Sequence, residues 1–278
     1  MRVLTSAVAI AAVLSAMAVP AVGGPAVTHR TVAAFGTVAH VLTVPASTRV
    51  KPVAARPGKT VPGWAQQAGA VAAINGGYFN HSDGWPVSHV LADGRALTNP
   101  RENRALTANP VLQPVLPRIF DQRVEWRAYE GARGPGWAIA PHAAPAPAGQ
   151  RVRHALQAGP ALLPAMDLAG EAFVLQDARG RVVRDGIGTS SKAARSALGL
   201  TPAGELLLVA VAGSPRRGTG VTIAQLAALM RQLGAHAAMG LDGGSSTTLS
   251  WRENGRLRTV TGSGAGPVRV NSALVVMP

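Results

Sequence analysis

Glycine and proline interrupt this sequence so often that long helices can make up little of its fold. The chain has 278 residues, of which 32 are glycine and 21 are proline, and both residue types favour turns. Hydrophobic residues make up 47% of the sequence and charged residues 14%, so the chain can bury a core and differs from disordered proteins. Aromatic residues are scarce, at 4%, so we expect a core built mainly of valine, leucine, isoleucine and alanine.

Apolar patterns along the chain predict more strand than helix. Residues 31–44, rich in valine and threonine, predict one or two strands, and residues 205–211 predict the clearest strand of the chain. Thr222 is a favourable N-cap for an amphipathic helix over residues 223–233. Residues 46–62 contain several prolines, glycines and lysines and predict an exposed connection. Together these segments predict an α+β fold: a mixed, sheet-rich single domain with a few helices packed on it.

The N-terminus has the pattern of a secretory signal peptide. Met1-Arg2 is followed by an almost entirely apolar stretch and then by small residues up to Ala26. We therefore predict that residues 1–26 are a signal peptide and that the protein is exported, to the periplasm or the medium. The alternative is a single anchoring helix, but the apolar run is only about 17 residues long and ends at Pro20. No second run of that kind follows, so no stable membrane span is expected after cleavage.

The charge and cysteine content exclude several classes of function. The formal net charge is +14, with 27 lysines and arginines against 13 acidic residues. The basic residues are scattered, without a long run of like charge or interleaved aromatic residues, which argues against nucleic acid and leaves an anionic substrate. The absence of cysteine excludes thiol nucleophiles, disulfides and cysteine-ligated metals.

Two segments share a design that suits a catalytic site. Residues 72–77 and 239–244 each run from an apolar strand to one polar residue, Asn75 or Asp242, followed by two glycines. The glycines let a substrate or another backbone approach closely. A carboxylate behind a buried strand is partly desolvated, which raises its pKa and suits acid–base catalysis, and it could also bind a divalent cation such as Ca²⁺ or Mg²⁺. The alternative is that both segments are ordinary Asn-Gly and Asp-Gly hairpin turns.

Other polar residues permit both a functional and an ordinary interpretation. Arg195 could recognise phosphate oxygens with its planar guanidinium, although a single arginine is more often a surface residue. Ser245 and Ser246 could bind phosphate or sugar, or could simply be strand residues that face water. His81 and His89 flank a short loop, but their spacing matches no standard zinc pattern, which favours histidines at a rim or on the surface.

Five motifs, taken in order, resemble those of the phosphodiester glycosidase family. They are spread over nearly the whole of the sequence that follows the predicted signal peptide. The motifs are Ile74-Asn75-Gly76-Gly77-Tyr78-Phe79, Gln157-Ala158-Gly159-Pro160, Arg195-Ser196-Ala197-Leu198-Gly199, Leu241-Asp242-Gly243-Gly244-Ser245-Ser246 and Val270-Asn271-Ser272-Ala273-Leu274. The sequence departs from the family at Ser245, which replaces the third glycine of the LDGGGSS turn, and over residues 81–153, which match poorly.

The resemblance implies a catalytic domain over residues 27–278 that hydrolyses the glycosidic bond of a sugar-1-phosphodiester, similar to an N-acetylglucosamine-1-phosphodiester. It implies catalytic roles for Asp242, Arg195 and Asn75: acid–base or cation chemistry, neutralisation of the phosphodiester and contact with a substrate oxygen. No cofactor is required, although Asp242 could bind a divalent cation. The substrate-binding residues implied are Gly76, Gly77, Gln157, Gly159, Gly243, Gly244, Ser245, Ser246 and Asn271.

Two other functions stay open at this level. One is a metal-assisted phosphodiesterase that cleaves the P–O bond of a cell-envelope glycan. The other is a non-catalytic envelope module that binds an anionic glycan, since a fold alone does not guarantee catalysis.

Overall fold

The structure is a computed structural model that describes residues 17–18, 26–132, 134–214, 217–262 and 264–278. Residues 1–16 and 19–25, most of the predicted signal peptide, lie outside the described residues. The strands are β1 (Met17–Ala18), β2 (Thr28–Ala34), β3 (Thr37–Val44), β4 (Val50–Thr60), β5 (Ala72–Asn75), β6 (Val90–Ala92), β7 (Arg95–Thr98), β8 (Val124–Gly131), β9 (Gly136–Pro141), β10 (Gln150–Gln157), β11 (Ala161–Leu163), β12 (Val174–Gln176), β13 (Val182–Asp185), β14 (Arg195–Leu200), β15 (Leu206–Val211), β16 (Ala237–Gly240), β17 (Thr248–Glu253), β18 (Arg256–Thr261) and β19 (Arg269–Val276). The α-helices are α1 (Val61–Ala68), α2 (Arg104–Thr107) and α3 (Ile223–Gln232).

The strands form antiparallel sheets, which confirms the predicted sheet-rich α+β class. One sheet has the order β1-β2-β3-β15-β14-β16-β11, a second β18-β17-β5-β19-β4, a third β7-β6-β10-β8-β9, and β12 pairs with β13. Within the described part of the chain, no helix is long and apolar enough to cross a membrane.

The strand β15 shows how the sequence builds two cores from one sheet. Successive side chains of a strand point to opposite faces. Leu206 and Leu208 lie in a core cluster that also contains Ile74 of the second sheet. Leu207 lies in another cluster, which contains Leu226 of α3. The first two sheets therefore pack face to face, with α3 on the outer face of the first.

The second sheet repeats this arrangement. Ile74 faces the shared core, whereas Ala73 lies in a separate cluster with Val61 and Trp64 of α1. The four layers run α3, first sheet, second sheet, α1. The predicted N-cap at Thr222 is confirmed, since Thr222 and Gln225 form a capping box at the start of α3. Gly69 ends α1 in the left-handed region, with φ +64°.

The prediction of an exposed connection over residues 46–62 is wrong. Most of that segment is β4, which pairs with β19. β4 is the last strand of its sheet, so only one of its edges needs backbone donors. An edge strand tolerates proline on its unpaired side, and this explains why Pro52 and Pro57 did not prevent strand formation.

The hairpin interpretation of the two glycine turns is also wrong. β5 lies between β17 and β19 and does not pair with the strand that follows it in sequence. β16 belongs to the first sheet, whereas the next strand, β17, belongs to the second. Each turn therefore carries the chain out of its sheet.

Candidate functional site

The two glycine turns meet where the first and second sheets pack together. The backbone N–H of Asp242 donates to the carbonyl oxygen of Gly76 at 3.1 Å. In the other direction, Asn75 Nδ2 donates to the carbonyl oxygen of Asp242 at 2.7 Å. The chain thus brings together the two polar residues that the sequence placed 167 positions apart.

The Asn75 amide is fully engaged by the protein. Its Oδ1 accepts hydrogen bonds from Ser196 Oγ at 2.7 Å and from the backbone N–H of Thr248 at 3.0 Å. Its Nδ2 reaches Gly76 O at 3.5 Å in addition to Asp242 O. A buried amide with every donor and acceptor satisfied locks its surroundings. Asn75 therefore ties both turns and both sheets to each other.

Three of the predicted substrate-binding glycines are required by close packing. A Cβ at Gly76 would overlap Ser272 Oγ, and one at Gly77 would overlap the Gln157 carbonyl oxygen. Gly159 has φ +96° and faces Glu171 and Phe173. In contrast, Gly244 has φ +60° with open space where a Cβ would lie. Open approach from outside is therefore available at Gly244, whereas a Cβ at Gly243 would meet the Ala194 carbonyl oxygen at 3.0 Å.

Asp242 has the features of an acid–base residue. It is buried, and its Oδ2 has no partner within hydrogen-bond geometry among the described residues. Burial raises the pKa of Asp242 to about 6; the Ser246 hydroxyl, which lies near the carboxylate but outside hydrogen-bond geometry, the charge of His81 and the Gly243 N–H act in the opposite direction. Buried carboxylates without partners are rare, because desolvation is costly, and such groups mark functional sites.

Three buried hydroxyl groups that follow Asp242 in the sequence make no hydrogen bond within the described residues. They are Ser246 Oγ, Thr247 Oγ1 and Thr248 Oγ1. Ser245, which replaces the family glycine, is exposed. A buried set of unused donors and acceptors beside an acid is suited to hold a polar ligand.

Tyr78 is a site residue that our sequence reasoning did not single out. Its hydroxyl donates to Gly159 O at 2.9 Å, and burial, followed by the charge of Asp242, raises its pKa. It joins the first glycine turn to the Gln157–Pro160 motif. The sequence does contain a signal for it, since Tyr78 is the aromatic residue that directly follows Asn75-Gly76-Gly77 in the first motif.

Arg195 lies buried behind the second turn. Its Nε, Nη1 and Nη2 donate to carbonyl oxygens of Val221, Ile187, Gly188 and Ser191, at 2.7–3.3 Å. These bonds occupy four of the five guanidinium hydrogens. No carboxylate of the described residues lies within ion-pair distance of it. Its positive charge is therefore uncompensated by direct contact, and burial lowers its pKa.

Two further predicted binding residues make bonds within the protein. Gln157 Nε2 donates to Phe120 O at 3.0 Å, and its Oε1 accepts from the His89 N–H at 3.1 Å. Asn271 Nδ2 donates to Gly84 O at 2.9 Å. Both side chains hold loops in place.

An open cavity of about 480 Å³ lies on the His81 side of the site, and its lining does not include Asn75, Arg195 or Asp242. His81, whose charge acts on Asp242, lines it together with Asn271. The guanidinium groups of Arg56 and Arg269 outnumber the one carboxylate in the wall, that of Asp83, so the wall is basic. The cavity has the size of a small-ligand pocket and the charge that an anionic substrate requires.

The structure does not group Asp242 with other metal-ligating side chains that it describes. Among the described residues, the one group of three side chains with metal-ligand spacing is His89, Glu125 and His142, without Asp242. His81 and His89 are not brought together: His81 lines the cavity, whereas the ring of His89 lies against His142.

The raised pKa of Asp242 predicts a pH-dependent gain in stability on its removal. A carboxyl group whose pKa rises from 3.8 to about 6 on folding stabilises the protein below pH 4 and loses this contribution as the pH rises through 6. Asp242→Asn should therefore raise the free energy of unfolding at pH 8 by about 1–3 kcal/mol, and leave it nearly unchanged at pH 3.5. Urea unfolding at both pH values measures this. Equal stability of the two proteins at pH 8 would show that Asp242 is not strained by burial.

Comparison with known proteins agrees with this architecture. A model of the phosphodiester glycosidase family matches residues 68–277. No relative among curated protein sequences matches significantly. Among solved structures, the chain resembles the zebrafish N-acetylglucosamine-1-phosphodiester α-N-acetylglucosaminidase catalytic domain auto-inhibited by its pro-peptide, with a TM-score of 0.64 and 16% identity over 95% of this chain and 82% of that one.

Two bacterial structures share the fold. A hypothetical protein from Synechocystis gives a TM-score of 0.58 and 17% identity over 90% of this chain, which spans only 61% of that protein's length. A predicted exported protein of Burkholderia pseudomallei gives a TM-score of 0.59 and 16% identity, over 92% of this chain and 75% of that one. At these identities the structures establish the fold alone, whereas the family match covers most of the sequence, so this chain belongs to the phosphodiester glycosidase family.

Proposed function

We propose that this protein hydrolyses the glycosidic C1–O bond of a sugar-1-phosphodiester and releases the free sugar and a phosphomonoester. The observation that carries the proposal is the buried Asp242 carboxyl, whose Oδ2 is unpartnered at the junction of the two glycine turns. Family membership supports the substrate class.

Asp242 acts as the base in this proposal. Its pKa of about 6 leaves it mostly ionised at neutral pH yet basic enough to accept a proton from water. The water oxygen bonds to C1 while the bond from C1 to the phosphate oxygen breaks, the electron pair leaves on phosphate, and the proton passes to Asp242. The leaving group is a stabilised phosphate, which explains how the reaction proceeds without a second acidic carboxyl.

The other buried carboxyl near this region is occupied. Burial raises the pKa of Glu171 to about 7, but its two oxygens accept the backbone N–H groups of Ala161 at 2.6 Å and Val124 at 3.1 Å. It therefore joins two chain segments and is unsuited to donate a proton to substrate.

Arg195 and Asn75 act at different distances from the reacting atoms. The charge of Arg195 attracts the phosphodiester and stabilises the developing phosphate, and its remaining Nη1 hydrogen is the one available to a ligand. Asn75 is a positioning residue, because its amide bonds hold the Asp242 backbone. Gly243, Gly244 and Ser246 surround the sugar or phosphate, and the basic cavity wall receives the remainder of the substrate.

We also propose that the protein is exported. The apolar N-terminal segment with its positive start supports this, and one structural relative is a predicted exported protein. N-terminal sequencing of protein recovered outside the cytoplasm tests it.

Hydrolysis in H₂¹⁸O tests the reaction and the bond cleaved. The purified protein is incubated with a set of sugar-1-phosphodiesters, including UDP-N-acetylglucosamine, with and without EDTA, and the products are identified by mass. We expect free sugar carrying the ¹⁸O label and an unlabelled phosphomonoester. Label in the phosphate would instead identify a phosphodiesterase that cleaves P–O. Binding of anionic glycans without any turnover would identify a non-catalytic module.

A further inference from the structure

Three side chains outside the Asp242 site converge in a pattern typical of a transition-metal centre. Glu125 lies on β8, His142 directly follows β9, and His89 precedes β6. Each can offer one ligand atom, and the three atoms lie within 4.8 Å of one another. Two histidines and one carboxylate form a ligand set that zinc uses widely.

The two separations that involve Glu125 are close to those between the ligands of a tetrahedral ion. Nitrogen and oxygen ligands about 2.0–2.1 Å from zinc lie roughly 3.3 Å apart in a tetrahedral arrangement. Glu125 Oε2 lies 2.7 Å from His142 Nδ1 and 3.7 Å from His89 Nδ1, values that bracket this separation. A small opening of the Glu125–His142 contact would admit the ion.

One ligand atom makes no hydrogen bond within the described residues. His89 Nδ1 is buried and has no hydrogen-bond partner, since 3.7 Å is too long for a hydrogen bond to Glu125. A simple ion pair between Glu125 and His142 leaves this nitrogen unexplained. A metal ion would satisfy it.

Neighbouring residues hold the ligands as the outer shell of a metal site does. Arg127 Nε donates to Glu125 Oε1 at 2.8 Å, which leaves Oε2 for the ion. Arg127 also donates to the carbonyl oxygen of His142 at 2.6 Å, and Gln157 binds the backbone of His89 on both its N–H and its carbonyl. Such second contacts orient ligating groups and strengthen binding.

Access to the cluster also fits. The side chain of Glu125 is 3% exposed, whereas that of His142 is 30% exposed. The exposed side gives an ion a route in and leaves room for water as a fourth ligand.

We propose that His89, Glu125 and His142 bind one zinc ion, through Oε2 of the carboxylate and one ring nitrogen of each histidine. This site is separate from Asp242 and does not depend on the proposed hydrolase activity. It uses residues from the part of the chain, residues 81–153, that matches the family motifs poorly.

Zinc titration of the purified, EDTA-dialysed protein tests the site. We expect one bound Zn²⁺ per chain by calorimetry and elemental analysis, and a visible absorption spectrum typical of tetrahedral coordination when Co²⁺ replaces it. His142→Gln keeps a donor to Glu125, so the fold should persist, yet zinc affinity should fall by more than about 100-fold, because loss of outer-shell contacts alone costs 10–100-fold.

Two histidine variants serve as controls. His236→Gln removes an exposed histidine and should leave zinc binding unchanged. His40→Gln removes one member of the other histidine pair, in which His29 Nε2 lies 3.2 Å from His40 Nδ1. The proposal is overturned if the protein binds no zinc, if His142→Gln binds it as tightly as the wild type, or if His40→Gln is the variant that loses it.

Discussion

Asp242→Asn is expected to lower kcat on a sugar-1-phosphodiester by roughly 10²–10⁴-fold, with little change in KM. The substitution keeps the size of the side chain, and the backbone contacts of residue 242 with Asn75 and Gly76 do not depend on the carboxyl group. What it removes is the group that accepts a proton from water. Loss of an interaction made only in the transition state appears in kcat.

The pH profile separates a base from an acid at this position. With Asp242 as the base, kcat of the wild type should rise through an apparent pKa near 6 and then level off. This acidic limb should vanish from the residual activity of Asp242→Asn. A profile that instead falls above pH 6 would assign Asp242 as the general acid.

Glu171→Gln is the matched control for this experiment. Glu171 is also buried and also has a raised pKa, but both of its oxygens are bound to backbone N–H groups. Its replacement should alter stability and leave the turnover of the folded protein close to that of the wild type. If the two variants lose activity equally, a general effect of buried carboxyl groups explains the loss, and the assigned role of Asp242 is wrong.

Gly77→Ala is expected to destabilise the protein by about 3 kcal/mol or more, although it adds a single methyl group. The new Cβ would overlap the carbonyl oxygen of Gln157, which is backbone and cannot rotate away, and it would also meet Ser88. Relief requires a shift of the first glycine turn away from the Gln157–Pro160 segment. The same shift would move Asn75 and so displace Asp242, and activity should fall along with stability.

Gly36→Ala provides the comparison. Gly36 lies in the β2–β3 turn with φ +79° and nothing within 4 Å of a built Cβ. The substitution therefore costs only the backbone strain of a left-handed residue, about 1–2 kcal/mol. Urea unfolding of both variants measures the difference. A Gly77→Ala protein as stable as Gly36→Ala would show that the two segments are not held in this close contact.

Much of the fold could be predicted because it depends on local patterns. The apolar run of β15 identified a buried strand, and Thr222 identified the start of α3, because strand alternation and N-capping involve residues a few positions apart. β4 could not be found in the same way. Its prolines are compatible with a strand only at a sheet edge, and edge position depends on the order in which distant strands assemble.

The same distinction applies to the candidate site. Its residues, above all Asn75 and Asp242, were predicted from their motifs, and the family follows from those motifs. Their physical roles depend on partners far away in sequence, since the Asn75 amide binds groups of residues 196, 242 and 248. The His89–Glu125–His142 cluster became visible only in three dimensions, because no fixed spacing links its residues. Tyr78 belongs to the first motif, but its hydrogen bond to Gly159 is visible only in the structure.

The sequence by itself determined the family, the sheet-rich class and the presence of one carboxylate behind a buried strand with two glycines after it. Only the tertiary structure decided that this carboxylate is left without a partner while the neighbouring Glu171 has two. The reason is physical: composition and local pattern set which groups are buried, but hydrogen bonding between packed sheets sets which of the buried groups stay free for chemistry.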